Sequence, residues 1–272
     1  MDRRGYLKGT GAAIGSMGLA GCISSFTGGS GGGETVLIGS DIPYKPFEYE
    51  KADGTLTGFD VDIAEAVFKG EMGMEYEFKK TAWDGIIPSL NNGNFRVIMS
   101  AMTINDERAK KVDFSDPYFT AYQTVLVLKG GDISAKEDLK GKNVGVQRNT
   151  TGAGAAEELK EEFGGDLTIK SFDQITGAFD ALVNNQVSAV INDNTVNAEF
   201  ANKNDKVVFL EGDGAAKEAG QEAPPYLTLT VENYGIAFRQ DDDDFRKQVN
   251  DAIAAIKESG KYDDIYSNYF QG

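Results

Sequence analysis

Past residue 33 the chain alternates short apolar runs with longer amphipathic ones. Residues 36–40 are a β-branched run, ended by Asp41 and Pro43, and predict a strand. Residues 59–68 place Val61, Ala64, Val67 and Phe68 on one helical face. Met74, Tyr76 and Phe78 alternate as a strand does, 83–90 reads as a helix, and 97–99 and 125–128 read as buried strands. The pattern then restarts. Strands are expected at 143–146, 167–170, 189–191, 207–210 and 235–238, and helices at 151–163 and 175–183. Two helices close the chain, 242–259 with Phe245, Val249, Ile253 and Ile256 on one face, and 261–270. Asp241 to Asp244 reads as a solvated helix start, where acids suit the positive end of the dipole. Strand–helix alternation predicts mostly parallel sheets covered by helices, an α/β class. Its repetition predicts two lobes.

Composition removes several kinds of chemistry. In 272 residues there is no histidine and a single cysteine, Cys22. That excludes imidazole-based nucleophilic sites, an intrachain disulfide and a Cys-based zinc site; no metal and no cofactor are expected. Net charge is -16, from 27 Lys+Arg against 43 Asp+Glu. So acidic a chain repels phosphate backbones, and no nucleic-acid partner is expected. Mutual repulsion for solubility and a high-salt habitat are the two readings of that charge. The glycines at 28–33 lack a strand before them and a helix after them, so they are not a phosphate cradle.

The first residues read as an address. Arg3-Arg4 is followed by a short, mildly apolar stretch and then Leu19-Ala20-Gly21-Cys22. Small residues before a cysteine suit a signal peptidase, and the thiol is the atom that receives lipid. The stretch is shorter than the ~20 residues that span a bilayer. Residues 1–21 are therefore expected to be a twin-arginine lipoprotein signal peptide, and 22–33 a Gly/Ser tether anchored by lipid on Cys22. The expected location is the outer face of the cytoplasmic membrane.

In α/β sheets ligands bind beyond the carboxyl ends of strands. There the sequence places Asp41 and Tyr44, then Ser100-Ala101-Met102-Thr103, then Gln147 to Gly152, then Asn192-Asp193. Four polar clusters at four strand ends, two per lobe, lay out a cleft between lobes.

Residues 34–272 resemble the family of extracellular solute-binding proteins for polar amino acids in ABC importers (family 3), with glutamine-binding and lysine/arginine/ornithine-binding members nearest. The segments carrying the resemblance are DIPYKPFEY (41–49), GFDVDIAEAV (58–67), WDGIIPSL (83–90), MTINDERAKKVDFSDPYF (102–119), GKNVGVQRNTTG (141–152), AVINDN (189–194) and YGIAFR (234–239). Arg148-Asn149 stands where the family commonly has a small residue and glycine, and 212–229 is longer than the usual second connector. The resemblance implies a two-lobed, periplasmic-binding-protein-like (type II) α/β fold with a two-strand hinge. Lobe one would be 34–117 plus 235–272, lobe two 123–229, and the crossovers 118–122 and 230–234.

It also implies a site. Arg108 would take a ligand α-carboxylate as a bidentate fork, with backbone N–H groups of Thr103 and Thr151. Asp193 would take the ammonium, aided by the Thr103 hydroxyl and the Ala101 carbonyl; on sequence alone Asp193 reads equally as a helix N-cap. Tyr44 and Trp83 would sandwich the ligand side chain, and Met102 would lie in the same ligand-binding turn. Asp41, Ser100, Gln147 and Asn192 would line the far end. Asp41 favours a side chain that donates, and Gln147 replaces a lysine of glutamine-binding relatives that would repel a cation. The expected role is a monomeric binding protein, not an enzyme, that passes a free amino acid to ABC permease subunits. Arginine or lysine is favoured and glutamine is next. A dehydratase-like enzyme on this scaffold and a ligand-sensing partner of a receptor are the alternatives, the second expected to need a separate signalling protein.

Overall fold

The computed structural model describes residues 35–270, so the signal-peptide and Cys22 expectations lie outside the described residues. The chain enters on β1 (Val36–Ser40), makes a small hairpin of β2 (Tyr49–Glu50) and β3 (Leu56–Thr57), and turns into α1 (Phe59–Ala64), which runs on as a π-helical segment, Glu65–Glu71. Then follow β4 (Tyr76–Lys80), α2 (Trp83–Asn91), β5 (Val97–Ile98), α3 (Asp106–Ala109) and β6 (Asp113–Phe114). The long β7 (Phe119–Leu128) carries the chain into a second sheet with β8 (Asn143–Gln147), α4 (Thr151–Glu162), β9 (Thr168–Phe172), α5 (Ile175–Val183), β10 (Ala189–Asp193), α6 (Asn194–Lys203), β11 (Val207–Phe209) and α7 (Ala215–Glu218). It returns on β12 (Thr228–Tyr234) to β13 (Ala237–Phe238), α8 (Asp243–Glu258) and α9 (Lys261–Tyr269).

The first sheet has the order β4-β1-β5-β13-β6, and the second β11-β7-β10-β8-β9, with β12 also paired to β7. The expectation of mostly parallel sheets needs correction. β1 is parallel to β4 and β5, and β8 to β9 and β10, but β13, β7, β11 and β12 all pair antiparallel. The reason is the two crossings. β7 leaves the first lobe and β12 returns, side by side, with Phe119 opposite Tyr234 and Thr124 opposite Thr228. Only the inner part of β7, 125–128, is continuously apolar, so hydropathy showed less than half of it.

α8 shows why the apolar spacing decides packing. Phe245, Val249, Ala252, Ile253 and Ile256 form one buried stripe. Full burial stabilises each large side chain by roughly 1.5–3 kcal/mol. Phe245 stacks on Phe68 at 6.2 Å between ring centroids, which clamps the π-helical segment to the last long helix. The acidic run before α8 is not uniformly solvated: Asp242 accepts from Arg96 Nε at 2.9 Å and Nη2 at 3.1 Å. Among the described residues no helix is long and apolar enough to cross a membrane.

Candidate functional site

The C-terminal ends of β1, β5, β8 and β10 converge on one small cavity. Asp41, Tyr44, Trp83, Ser100, Ala101, Thr103, Arg108, Gln147, Thr151, Asn192 and Asp193 all line it. Met102 does not. Its side chain is fully buried beside Ile86, Leu90 and Ile98, and only its carbonyl is used, accepting from Gly235 N–H at 3.0 Å. A residue adjacent to cleft residues on a tight turn points to the opposite side, into the core.

One end of the cavity is built for an anion. Asn105 caps α3 by accepting from Arg108 N–H at 2.9 Å, which fixes where Arg108 leaves the backbone. Nη1 of Arg108 donates to the Thr103 carbonyl at 2.8 Å, and the guanidinium lies 5.0 Å from the Trp83 ring centre. One N–H is thus anchored on the backbone, leaving other donors of the fork for a bidentate acceptor. Opposite stands the N-terminus of α4, capped by Thr150, whose hydroxyl accepts from Ala153 N–H at 3.2 Å. The first amides of a helix have no intrahelical partner and attract negative charge. Gly152 lets this helix approach β10: a Cβ there would meet the Ile191 carbonyl at 3.1 Å and Gln123 Oε1 at 2.9 Å.

The rest of the cavity is acidic. Asp193 ends β10, and although it starts α6 its side chain makes no cap bond. It accepts instead from the Tyr44 hydroxyl and from Gln123 Nε2 at 2.5 Å. The same Tyr44 oxygen lies 3.0 Å from the Asn192 side-chain amide. Burial first, then the charge of Glu232, lift the Asp193 carboxyl to about 7. Asp41 accepts from Gln147 Nε2 at 2.9 Å and Gln174 Nε2 at 2.7 Å, while its N–H donates to Ser100 Oγ at 2.9 Å. Burial raises the Asp41 carboxyl too, against the pull of those two amides. Behind the wall, Ser100 donates to Glu48 at 2.7 Å, and Asp60 accepts from Ala101 N–H at 2.9 Å and the Tyr118 hydroxyl at 2.9 Å. Desolvation lifts Asp60 to about 6. Its bond holds Ala101 at φ +47°, a left-handed conformation that costs a non-glycine residue roughly 1–3 kcal/mol and turns the Ser100–Thr103 segment around the cavity.

The two lobes also touch at the mouth. Trp83 Nε1 donates to the Asn149 carbonyl at 2.8 Å, Asn149 Nδ2 donates to Asp84 at 2.8 Å, and Arg148 lies 3.4 Å from Asp84 and pairs with Asp173. Asn149 sits at φ +58°, where asparagine is tolerated, so this loop turns without a glycine. The Trp83 ring therefore meets Arg108 and its edge reaches the opposite lobe, while Tyr44 commits its hydroxyl to Asn192 and Asp193.

Two polar residues of the site were invisible in the sequence. Gln123 on β7 and Glu232 on β12 are buried in the crossover strands and bonded to Thr103, Thr151 and Asp193. Gln123 stands between Tyr122 and Thr124 and Glu232 between Val231 and Asn233, ordinary strand surroundings, and only the side-by-side pairing of β7 and β12 reveals that both face inward. Among the described residues no cluster of Asp, Glu, Cys or His could hold a metal ion.

Residues 36–272 match the model of the bacterial extracellular solute-binding proteins, family 3. A probable histidine-binding protein of Neisseria gonorrhoeae is 37% identical over 240 residues, which cover 88% of this chain and 84% of that protein. The ABC transporter arginine-binding protein 1 of Escherichia coli strain K12 is 32% identical over 252 residues, 93% of this chain and 97% of that protein. An ancestral arginine-binding protein bound to arginine superposes with a TM-score of 0.76 at 37% identity, over 87% of this chain and 98% of that one. These relatives are named as binding proteins and not as enzymes, and the superposed structure shares the two-lobed type II architecture. With a cavity that holds a guanidinium at one end and buried carboxylates around the rest, the chain belongs to the family 3 extracellular solute-binding proteins and serves ABC transport of polar amino acids.

Proposed function

We propose that the ligand is a cationic amino acid, arginine before lysine, with glutamine as the next choice. The carrying observation is Asp41. Its buried carboxylate accepts from two amide side chains, so that end of the cavity suits a ligand side chain that donates, and suits a charged donor best. The lining supports the same reading: Asp41 and Asp193 stand in the cavity beside a single guanidinium, Arg108, so a ligand whose side chain adds a positive charge finds a carboxylate at each end away from Arg108. In this reading the α-carboxylate meets Arg108 and the Thr151 amide. The ammonium meets Asp193, the Ala101 carbonyl and the Thr103 hydroxyl. Tyr44 and Trp83 flank the side chain, and Ser100, Gln147 and Asn192 complete its far end.

Calorimetric titration with the common amino acids tests this, repeated on Asp41→Asn. Arginine binds the parent most tightly, and the variant weakens arginine more than glutamine, because charge assistance is lost while an amide partner remains. An arginine-to-glutamine ratio unchanged by the substitution would remove Asp41 as the selector. We also propose that the protein is exported, cleaved before Cys22 and held by lipid at the outer face of the cytoplasmic membrane, where it works as a monomer for its permease. Arg3-Arg4 and Leu19-Ala20-Gly21-Cys22, in order ahead of the Gly/Ser tether, support this. Cys22→Ala then moves the protein from the membrane fraction to the soluble one; retention on the membrane would refute the anchor.

A further inference from the structure

Glu232 does not line the cavity wall, yet it holds residues that do. It stands on β12, and its carboxylate is buried with the residue 7% exposed. Oε2 accepts from the Thr103 hydroxyl of the first lobe at 2.6 Å and from the Thr151 hydroxyl of the second at 2.8 Å. Oε1 accepts from Thr230 Oγ1 on its own strand at 2.9 Å. Gln123, from the other crossover strand, donates through Nε2 to Thr151 Oγ1 at 3.2 Å and to Asp193 Oδ1 at 2.5 Å.

A hydroxyl has one proton and two lone pairs, and an ionised carboxylate can only accept. A threonine that gives its proton to Glu232 has only lone pairs left for the cavity. The two threonine oxygens lie 3.3 Å apart on the cavity that Asp193 also lines; Thr151 gives one lone pair to Gln123, which leaves it one and Thr103 two for a donor in that region. We propose that Glu232 is a positioning residue that fixes the Thr103 and Thr151 hydroxyls as acceptors, making this region a binding site for the ligand's α-ammonium and leaving the α-carboxylate to Arg108 and backbone amides. The proposal rests on the reading of the cavity as an amino-acid site. It also gives the hinge a part in recognition. Both lobes' hydroxyls meet on one oxygen of a crossover strand, so the acceptor set is complete only when the lobes have come together.

The test compares L-arginine with 5-guanidinopentanoic acid, which lacks the ammonium, and L-glutamine with glutaramic acid, each titrated calorimetrically. The readout is the affinity ratio within a pair, because a merely structural defect lowers both members alike. Glu232→Leu removes the acceptor and lowers the ratio at least about tenfold, as expected for losing hydrogen bonds to a charged group. Glu232→Gln keeps a carbonyl that can take both hydroxyl protons, and lowers it by less than about threefold. A ratio in Glu232→Leu within about twofold of the parent, or an equal fall in both variants, would overturn the proposal, the second outcome showing an effect of charge alone. Should Glu232→Leu fail to fold, the double variant Thr103→Val/Thr151→Val deletes the acceptors themselves and lowers the ratio by at least about tenfold; a ratio within about twofold of the parent refutes the proposal. A parent that binds none of the four compounds would overturn the amino-acid reading and this proposal with it. A parent that binds them, with ratios unmoved by the variants, would overturn this proposal alone.

Discussion

Asp193 shows how much one buried carboxyl can couple. Burial and Glu232 place it at about 7, and Asp60 is lifted to about 6 by desolvation. In the unfolded chain both titrate near 4. For an acid with a raised folded value, the native state holds more protons than the unfolded one between the two values, so these groups cost stability as pH rises from about 4 to 7. The ligand-free protein is therefore expected to melt at a higher temperature near pH 5.5 than near pH 8, measured by scanning calorimetry. An ammonium ligand needs Asp193 ionised. Binding at pH 6.5 then releases protons, and affinity rises with pH until it levels above about 7.5. Calorimetry at pH 6.5 in two buffers of different ionisation enthalpy measures the release directly; identical heats in both would refute the coupling. At this scale Asp41 and Asp193 were legible because they follow strand ends, and Arg108 because it lies in a segment that carries the family resemblance. Glu232 and Gln123 were not, because a polar residue inside a β-branched strand shows its facing only once its neighbour strand is known.

The α4 N-terminus shows an element placed by what it lacks. Gly152 and Gly154 are two residues apart on the same helix, and helix propensity favours alanine at either by roughly 1 kcal/mol. Their surroundings differ. A Cβ at Gly154 meets nothing within 4 Å, whereas one at Gly152 presses on the Ile191 carbonyl and on Gln123. Gly154→Ala is expected to raise the midpoint of chemical denaturation without changing ligand affinity. Gly152→Ala is expected to lose affinity by about tenfold, since the helix must retreat by a few tenths of an ångström and carries the Thr151 amide with it. Equal behaviour of the two variants would show that the helix approach does not matter. The glycines could be counted in the sequence, but their unequal roles come from β10 lying against one of them.

For the whole molecule the question is what holds the lobes together. Asp84 bonds Asn149 and lies beside Arg148, while Trp83 reaches the Asn149 carbonyl. Arg148 and Asp84 are each about half exposed, so the pair alone stabilises by no more than ~1 kcal/mol and weakens with salt. That is still enough to shift a hinge equilibrium severalfold. Asp84→Ala is expected to enlarge the radius of gyration of the ligand-free protein in small-angle scattering, with the difference shrinking when ligand is added. An unchanged ligand-free radius would mean that the mouth contacts do not bias closure.

The sequence alone determined the α/β class, the two lobes and the strand ends that carry the site, because hydrophobic periodicity is a local property written residue by residue. It also carried Asp41, Arg108, Thr103, Thr151 and Asp193 as candidates, through segments whose order along the chain is itself a signal. Tertiary structure alone decided the rest. It turned Met102 into the core, paired β7 with β12 as antiparallel crossover strands, and brought Glu232 to hydroxyls 129 and 81 residues away. It also put Arg148 and Asn149 against Asp84. These are contacts between residues far apart in the chain, and hydrogen-bond partnership depends on distance and direction in space, which no local pattern of polar and apolar positions encodes.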